Sequence, residues 1–499
     1  MSPSLLLGCV VGYFALLLGL AGWTARNADA RAYFLGNKSS PWWAVALGLI
    51  GDSLSGVSYI SVPGKVAVDR WHYLQIVFGY VLGYVLIIHI LLPLYYRLNL
   101  TSIYGYLGHR FDTTTQRTGA GFFILSRLLG AAVRLYLAVS VFQIFVFEKL
   151  SLPGASQPGI PYWMTATVVI LLILTYTLKG GIKTLVWTDL FQSGFLVLGI
   201  GLSTLVIARA LNLDWTGPRG LGAFLMTNPL TEIFDWEFSA PTFFPKQFLA
   251  GAALALVMTG LDQNTMQKNL SCRSLREAQW NLYTFSAVMV AVNVTILCLG
   301  VLLYEFARQQ GIPWPTRSDD LFPDLALHHL GPAAAAVFVI GLTAATFNSA
   351  DAVLTTLTTS FCLDFLRLDQ RKDRPVAAQN RIRRRTHLGF AGLLLVVMLA
   401  LPVVAGRFPV IDLVLKLSGY TGGPLLALFG LGLFTQCRLG GPLVPLICIG
   451  SGTVCLLEAF PHQLVGGYRF GFELLLLNAL LCSGCLLLWA RRTSTPTPA

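Results

Sequence analysis

Apolar stretches long enough to cross a lipid bilayer recur from one end of this 499-residue chain to the other. A helix needs about 20 mostly apolar residues to span a hydrocarbon layer roughly 30 Å thick. The chain is 55% hydrophobic and only 12% charged, which is more apolar than one soluble core requires. We therefore expect an all-α integral membrane protein. Thirteen transmembrane helices are predicted, near residues 4–24, 41–64, 72–96, 119–147, 161–179, 187–209, 246–264, 281–306, 333–363, 387–405, 409–435, 440–459 and 469–490.

Basic residues mark one side of this predicted topology. If the N-terminus lies outside, the loops that face the cytoplasm carry most of the Lys and Arg residues, as in membrane proteins generally. We expect a protein of the bacterial inner membrane with its C-terminus in the cytoplasm. Its net charge of +12 lies mostly on that side, so we expect membrane lipids as partners and no nucleic acid. The inside positions include Arg97, Arg110, Arg117, Lys179, Lys183, Lys268, Arg273, Arg276, Arg491 and Arg492 and, before the tenth span, Arg367, Arg371, Lys372, Arg374, Arg381, Arg383, Arg384 and Arg385.

No linker of low complexity divides the chain. The longest stretches outside the predicted spans, residues 210–245 and 307–332, are too short to form an independent domain. The sequence thus predicts one transmembrane domain over residues 1–499. Its few histidines, such as His89 and His109, form no recognisable arrangement of metal ligands or of nucleophile and base, so an enzyme is not expected.

Two of the predicted spans are interrupted by polar residues and glycines. The second span is broken over Gly51–Gly56 and the seventh over Met258–Thr265. Irregular backbone at membrane depth leaves N–H and C=O groups unpaired unless they line a cavity or bind something. Interrupted helices in matching places of two halves are typical of an inverted-repeat secondary transporter, with solute and ion bound at the breaks. The alternative is two unrelated glycine-rich helix contacts.

Ionisable residues inside apolar spans are expensive and usually functional. Arg127 and Arg134 share one face of the fourth span and could grip the carboxylate of a solute or pair with an acidic residue of the chain. Asp189 could instead sit in the first turn of its helix, where a carboxylate complements the helix dipole. The ionisable residues within or beside other spans are Asp52, Asp189, Asp262, Asp351 and Lys416.

Oxygen-bearing side chains recur along the ninth span, where Ala345, Asn348 and Ser349 share one face. Sodium is a hard cation that prefers oxygen ligands. Backbone carbonyls of Gly51 and Leu54, in the first break, together with oxygens of the ninth span could replace its water shell. The polar side chains of that span could equally bond to their own helix.

Four segments together resemble the sodium/solute symporter family, in order along nearly the whole chain. They are Gly51–Gly64, Ile103–Phe111, Gly180–Gln192 and Ala345–Asp364. The resemblance implies the leucine-transporter fold: an extra helix at 4–24, inverted five-helix repeats at 41–209 and 246–435, and two final helices within 440–490. It also implies sodium-coupled symport of a small organic solute by alternating access, with Na+ as the coupling ion and no cofactor. Proton coupling on the same fold, or a transporter-like solute sensor, are the alternatives.

The resemblance also carries over ion-binding positions. One sodium would be held by Gly51, Leu54, Ala345, Asn348 and Ser349. Asn348 stands where a serine hydroxyl is usual, although an amide oxygen can still bind a hard cation. Some members bind a second sodium through an aspartate matching Asp189 and hydroxyls matching Asp351 and Ala352. Asp189 and Asp351 are therefore candidates to share a sodium ion or a proton.

The solutes of the family lie between the two broken helices. Sugar, monocarboxylate, sialic acid and amino acid classes all remain open, although Met258 replaces the aromatic inner gate of sugar carriers. The candidate pocket residues are Asp52, Ser53, Ser55, Gln75, Arg134, Met258, Asp262 and Gln263.

Overall fold

The computed structural model describes residues 3–24, 40–145, 147, 159–177, 182–214, 217, 220–368, 375–404, 410–458 and 470–492. Most of these residues are helical, which confirms the all-α fold. The described ranges also contain one pair of short antiparallel strands, β1 (Cys437–Arg438) and β2 (Arg491–Arg492).

The first part of the chain forms long helices joined by short ones. The helix α5 includes a π turn at Ile87–Leu91. The helices are α1 (Pro3–Thr24), α2 (Trp42–Ser53), α3 (Gly56–Gly64), α4 (Val66–Asp69), α5 (Tyr73–Arg97), α6 (Gly105–Arg110), α7 (Thr113–Phe145), α8 (Tyr162–Thr177), α9 (Ile182–Ala210) and α10 (Leu221–Thr227).

The second part begins after a 3-10 turn at Pro229–Thr231. Two of its helices end in π turns, α11 at Leu256–Gly260 and α15 at Phe361–Phe365. A 3-10 turn at Ser318–Asp320 precedes α14, and a π turn at Leu325–His329 follows it. The helices are α11 (Phe244–Gly260), α12 (Gln263–Leu270), α13 (Leu275–Gln309), α14 (Leu321–Asp324), α15 (Gly331–Phe365), α16 (Val376–Val404), α17 (Val410–Phe434), α18 (Leu443–Glu458) and α19 (Leu474–Trp489).

Every predicted span overlaps helix within the described residues. By length and composition, 7 helices of the described chain can cross a membrane, or up to 9 when each bent pair counts as one span. The other predicted positions hold shorter apolar helical stretches, so the total of thirteen crossings stays a prediction. Those stretches are Val10–Leu20, Tyr162–Thr175, Leu443–Cys455 and Leu474–Trp489.

The predicted interruptions of the second and seventh spans are confirmed. The helices α2 and α3 meet at 56°, and α11 and α12 meet at 62°. At the first break Leu54 and Ser55 have extended backbones, so the helix cannot continue through them. At the second break Asp262 caps α12, because its Oδ1 accepts a hydrogen bond of 2.9 Å from the backbone N–H of Thr265.

Three boundaries differ from the sequence-based expectation. The helix α16 begins at Val376, so Arg381 to Arg385 lie in its first turns instead of in a loop, since Ala, Gln and Arg favour helix. The helix α9 already runs from Ile182, so the proposal of Asp189 as a first-turn residue is wrong. The helix α12 continues to Leu270, which places Lys268 inside the protein and not in a cytoplasmic loop.

The helix α11, which leads into the second break, packs closely against α5 through glycine. Gly79 of α5 and Gly251 of α11 face each other, and a Cβ atom on either would clash with backbone of the opposite helix. Such contacts between small residues allow membrane helices to approach closely. They fix α11, and therefore the second break, against α5.

A Gly251→Ala substitution should lower the melting temperature of the detergent-purified protein by several degrees. The added methyl would overlap the carbonyl oxygen of Ile76, and overpacking of this kind typically costs about 1–3 kcal/mol. The matched control is Gly194→Ala, on α9, where a Cβ atom would meet nothing within 4 Å. Equal melting temperatures for the two variants would contradict the glycine contact.

Candidate functional site

A cavity of about 680 Å³, including the space at its open side, lies between the two breaks. Its walls combine hydroxyl groups, two guanidinium groups and apolar side chains. They include Ser53, Ser55 and Ser58 of the first broken region, Tyr73, Tyr80 and Tyr84 of α5, Arg127 and Arg134 of α7, Met258 of α11, and Ile411 and Leu415 of α17.

The structure brings five of the predicted pocket residues together at this cavity. They are Asp52, Ser53, Ser55, Arg134 and Met258. The first three come from one segment because the interruption of α2 and α3 turns that segment toward the cavity. Arg134 reaches it from α7 and Met258 from the end of α11.

Three other pocket candidates lie elsewhere. Gln75 donates a 2.9 Å hydrogen bond to the carbonyl of Thr242, and so holds the segment before α11. Gln263 accepts from the backbone N–H of Ile103 and donates to the carbonyl of Thr101, both at 2.9 Å. Asp262 faces a neighbouring cleft. Both glutamine amides satisfy irregular backbone, which explains why polar side chains are buried there.

The carbonyl groups at the second break are occupied by donors of the protein itself. Arg127 donates to the carbonyl of Met258 at 3.0 Å and also pairs with Asp262. Tyr95 donates to the carbonyl of Gly260 at 3.0 Å, and Tyr104 donates to that of Leu261 at 2.8 Å. Arg127 is therefore a structural partner of this break, which decides between the two roles that the sequence left open for it.

The first break is different, because its carbonyls stay open. Among the described residues, no N–H or O–H group donates to the carbonyl oxygen of Gly51 or Leu54. The N–H of Gly51, by contrast, donates to Ser193 Oγ at 2.9 Å. Exposed carbonyl oxygens at membrane depth are good cation ligands.

Asn348 lies directly against this break. A Cβ atom on Gly51 would clash with the Asn348 amide, so the two helices touch at this point. The Asn348 side chain is fully buried, and its Oδ1 has no hydrogen-bond partner in the described part of the chain. Ala345 lies on the same helix and is buried. Ser349 belongs to this helix too, but its side chain falls outside the described residues.

A buried lysine that the sequence assigned to a loop contacts Asp52, one of the residues that line the cavity. The side chain of Lys268 is 1% exposed, and its ammonium pairs with Asp52 and, at 2.5 Å, with Asp189 Oδ2. Asn264 donates to Asp52 at 3.3 Å. The available signal was spacing: Lys268 lies four residues after Asn264, hence on the same helical face.

Asp189 thus faces an ammonium at the place where a second sodium or a proton was expected. The side chain of its proposed partner Asp351 falls outside the described residues. Lys416, the remaining ionisable candidate, is exposed on α17 and lines none of these cavities.

Arg134, the second guanidinium at the cavity, has no close ion-pair partner in the described part of the chain. It is 7% exposed, and no carboxylate within the described ranges forms an ion pair with it. Its Nε lacks a hydrogen-bond partner among the described residues. A buried charge without a counter-charge is strongly unfavourable. Arg134 therefore presents a positive charge to the cavity.

Two groups of polar contacts, here called the Lys65 clamp and the Asp364 clamp, join helices around the site. In the first, Lys65 pairs with Asp412 at 2.8 Å and with Asp69 at 2.5 Å, which links α3 to α17. In the second, Asp364 accepts hydrogen bonds from Ser102 at 2.8 Å and Gln116 at 3.0 Å, which links α15 to the segment before α6 and to α7. A solute could pass between the helices at either place only if these ion pairs or hydrogen bonds were broken.

Sequence comparison decides the family. The family model described as "Sodium:solute symporter family" matches residues 33–443. This chain belongs to that family. The predicted resemblance is confirmed, and with it sodium-coupled symport of a solute across a membrane. Members of the family are transporters.

Known relatives of this symporter are distant in sequence and close in fold. The chain is 23% identical to the sodium/sialic acid symporter NanT of Aliivibrio fischeri, over 82% of this chain and 79% of that protein. It is 24% identical to the sodium-coupled monocarboxylate transporter 1 of Xenopus laevis, over 86% and 66%. A solved Na+-coupled sialic acid symporter, bound to substrate and open outward, superposes with a TM-score of 0.77 at 19% identity, over 98% and 99%.

Replacing Arg127 and replacing Arg134 should have different effects on the melting temperature of the symporter. Arg127→Met should lower the melting temperature markedly, because losing one partner of a buried pair typically costs about 3–5 kcal/mol. Adding Asp262→Asn should restore most of the loss, since the amide still caps α12. The matched control, Arg134→Met, should not lower the melting temperature. Equal destabilisation by both single variants would contradict these assignments.

Proposed function

We propose that this symporter carries a small organic anion whose carboxylate binds Arg134 in the central cavity. The observation that carries the proposal is the buried guanidinium without an ion-pair partner among the described residues. A guanidinium can hold a carboxylate by two parallel hydrogen bonds. Ser53, Ser55 and the tyrosines of α5 would receive the remaining polar groups of the solute.

The other charges of the site argue against an amine as the solute. Asp52 is paired with Lys268, and Asp262 is paired with Arg127. Neither carboxylate is therefore free to select a positively charged group. Met258 offers no aromatic face on which a sugar could stack. Among the four solute classes that the sequence allowed, monocarboxylates and sialic acids fit these features best, and both classes occur among the relatives.

We further propose that one sodium ion binds between the first break and α15. Its ligands would be the open carbonyls of Gly51 and Leu54, the carbonyl of Ala345, Asn348 Oδ1 and the Ser349 hydroxyl. The support is that α2 and α15 touch at Gly51 and Asn348, and that the carbonyls of Gly51 and Leu54 and Asn348 Oδ1 accept no hydrogen bond from the described residues. Oxygen ligands of this kind suit a hard cation.

The proposed transport cycle uses the membrane topology of the sequence. We propose the bacterial inner membrane, an outside N-terminus and inverted repeats over residues 41–209 and 246–435. The Lys65 clamp would then face outward, and the Asp364 clamp would face the cytoplasm. A potential of 100 mV supplies about 2.3 kcal/mol for each net charge that crosses the membrane. One sodium ion together with one carboxylate solute moves no net charge, so the sodium concentration gradient would drive accumulation of this anion.

The sodium site predicts a graded response at Asn348. Asn348→Ala should raise the sodium concentration that gives half-maximal stabilisation at least tenfold, which is about 1.4 kcal/mol of binding free energy. Asn348→Ser, which restores the hydroxyl usual in the family, should change it little, and Ser349→Ala should resemble Asn348→Ala. The measurement is thermal stabilisation of the purified protein by sodium chloride, with choline chloride as the control. An unchanged half-saturation in both alanine variants would reject the site.

The solute site predicts selective loss at Arg134. In proteoliposomes with a sodium gradient, labelled lactate and N-acetylneuraminate are the probes, together with glucose and proline. We expect uptake of one carboxylate class by the wild type, loss of at least 100-fold in Arg134→Met, and partial recovery in Arg134→Lys. The variant should keep the sodium stabilisation of the wild type. Uptake of glucose, or unchanged carboxylate uptake by Arg134→Met, would overturn the proposal.

A further inference from the structure

We propose that Lys268 is a tethered cation, seated between Asp52 and Asp189 in the position that a second coupling ion would otherwise take. The symporter then couples one sodium ion to each solute. Removing the ammonium should open a second sodium site in its place. This inference rests on the proposed sodium site at Gly51, and it assigns a function to an ion pair that this site does not itself require.

The geometry around Lys268 is that of a small cation site. Its ammonium contacts one oxygen of each carboxylate, and the Asp189 contact measures 2.5 Å. The side chains of Lys268, Asp52 and Asp189 are 1%, 5% and 0% exposed. Each carboxylate keeps a second oxygen, Oδ1, without a hydrogen-bond partner among the described residues. A lysine ammonium is a compact point charge, so a metal ion can replace it more readily than it can replace a planar guanidinium.

The neighbours of this triad supply the polar surroundings that an ion needs. Asn264 donates to Asp52, and Thr356 of α15 donates in turn to Asn264 at 3.1 Å. The three charged residues come from three different helices, α2, α9 and α12. A cation at this point therefore joins both halves of the protein, whether it is an ammonium or a free ion.

The triad also lies next to the proposed sodium site. Asp52 directly follows Gly51, and the Asn348 amide nitrogen lies 3.5 Å from the carbonyl oxygen of Asp189. Two carboxylates and one ammonium leave a net charge of −1 beside that site. One sodium ion neutralises this charge. A second sodium would have to displace Lys268, which is covalently fixed in α12.

The test counts sodium ions without any solute. Binding of radioactive 22Na+ to the purified protein at saturation should give one ion in the wild type and two in Lys268→Met. Lys268→Arg, which keeps a cation in place, should give one. Lys268→Met combined with Asp189→Asn should return the count to one, because the site that the ammonium leaves empty then has only one of its two carboxylates.

Each other result overturns the inference. One sodium in a folded Lys268→Met protein would mean that the ion pair is only a structural latch. If Lys268→Met does not fold, Asp189→Asn decides: we expect one sodium in it as in the wild type, whereas two in the wild type and one in Asp189→Asn would place a free ion at Asp189. No bound sodium in the wild type would reject the proposed Gly51 site as well, which separates the two failures.

Discussion

The exclusion of water from the bilayer core is the constraint on which this structure depends. A helix that breaks there exposes carbonyl groups that must find donors or cations. The second break finds donors, because Arg127, Tyr95 and Tyr104 occupy its carbonyls. The first break leaves Gly51 and Leu54 open. Two breaks that look alike in the sequence therefore differ in chemistry: the carbonyls of the second accept hydrogen bonds from the protein, whereas those of the first accept none from the described residues.

Buried charge follows the same division. Arg127 neutralises Asp262, and Lys268 partly neutralises Asp52 and Asp189. Two residual charges of opposite sign remain among these side chains, −1 at the lysine triad and +1 at Arg134. Each is costly while it stays uncompensated in a medium of low dielectric constant. On the proposed function, a cation would bind beside the triad and an anion would bind at Arg134.

Local sequence patterns predicted the helices and both breaks, because apolar runs and the glycines and carboxylates that interrupt them are properties of short segments. Tertiary partners could not be read in this way. Lys268 follows the largely polar stretch Asp262–Gln267 and looks like a loop residue, and only the approach of α9 brings Asp189 to it. Gln75 and Gln263 look like pocket residues until the backbone groups that they satisfy are seen. The start of α16 was also missed, because helix formation there is independent of the membrane.

The two residual charges give a physical reason for coupling. Sodium alone at the first break would neutralise the triad and leave Arg134 charged, while a carboxylate alone would leave the triad charged. Only a sodium ion and a carboxylate bound together would neutralise both the triad and Arg134. A charge in low dielectric opposes closure of the site around it, so the half-loaded forms should close least readily. On this proposal, the Lys65 and Asp364 contacts would open in alternation only when both ligands are bound or when water fills both sites. This is the condition that symport requires.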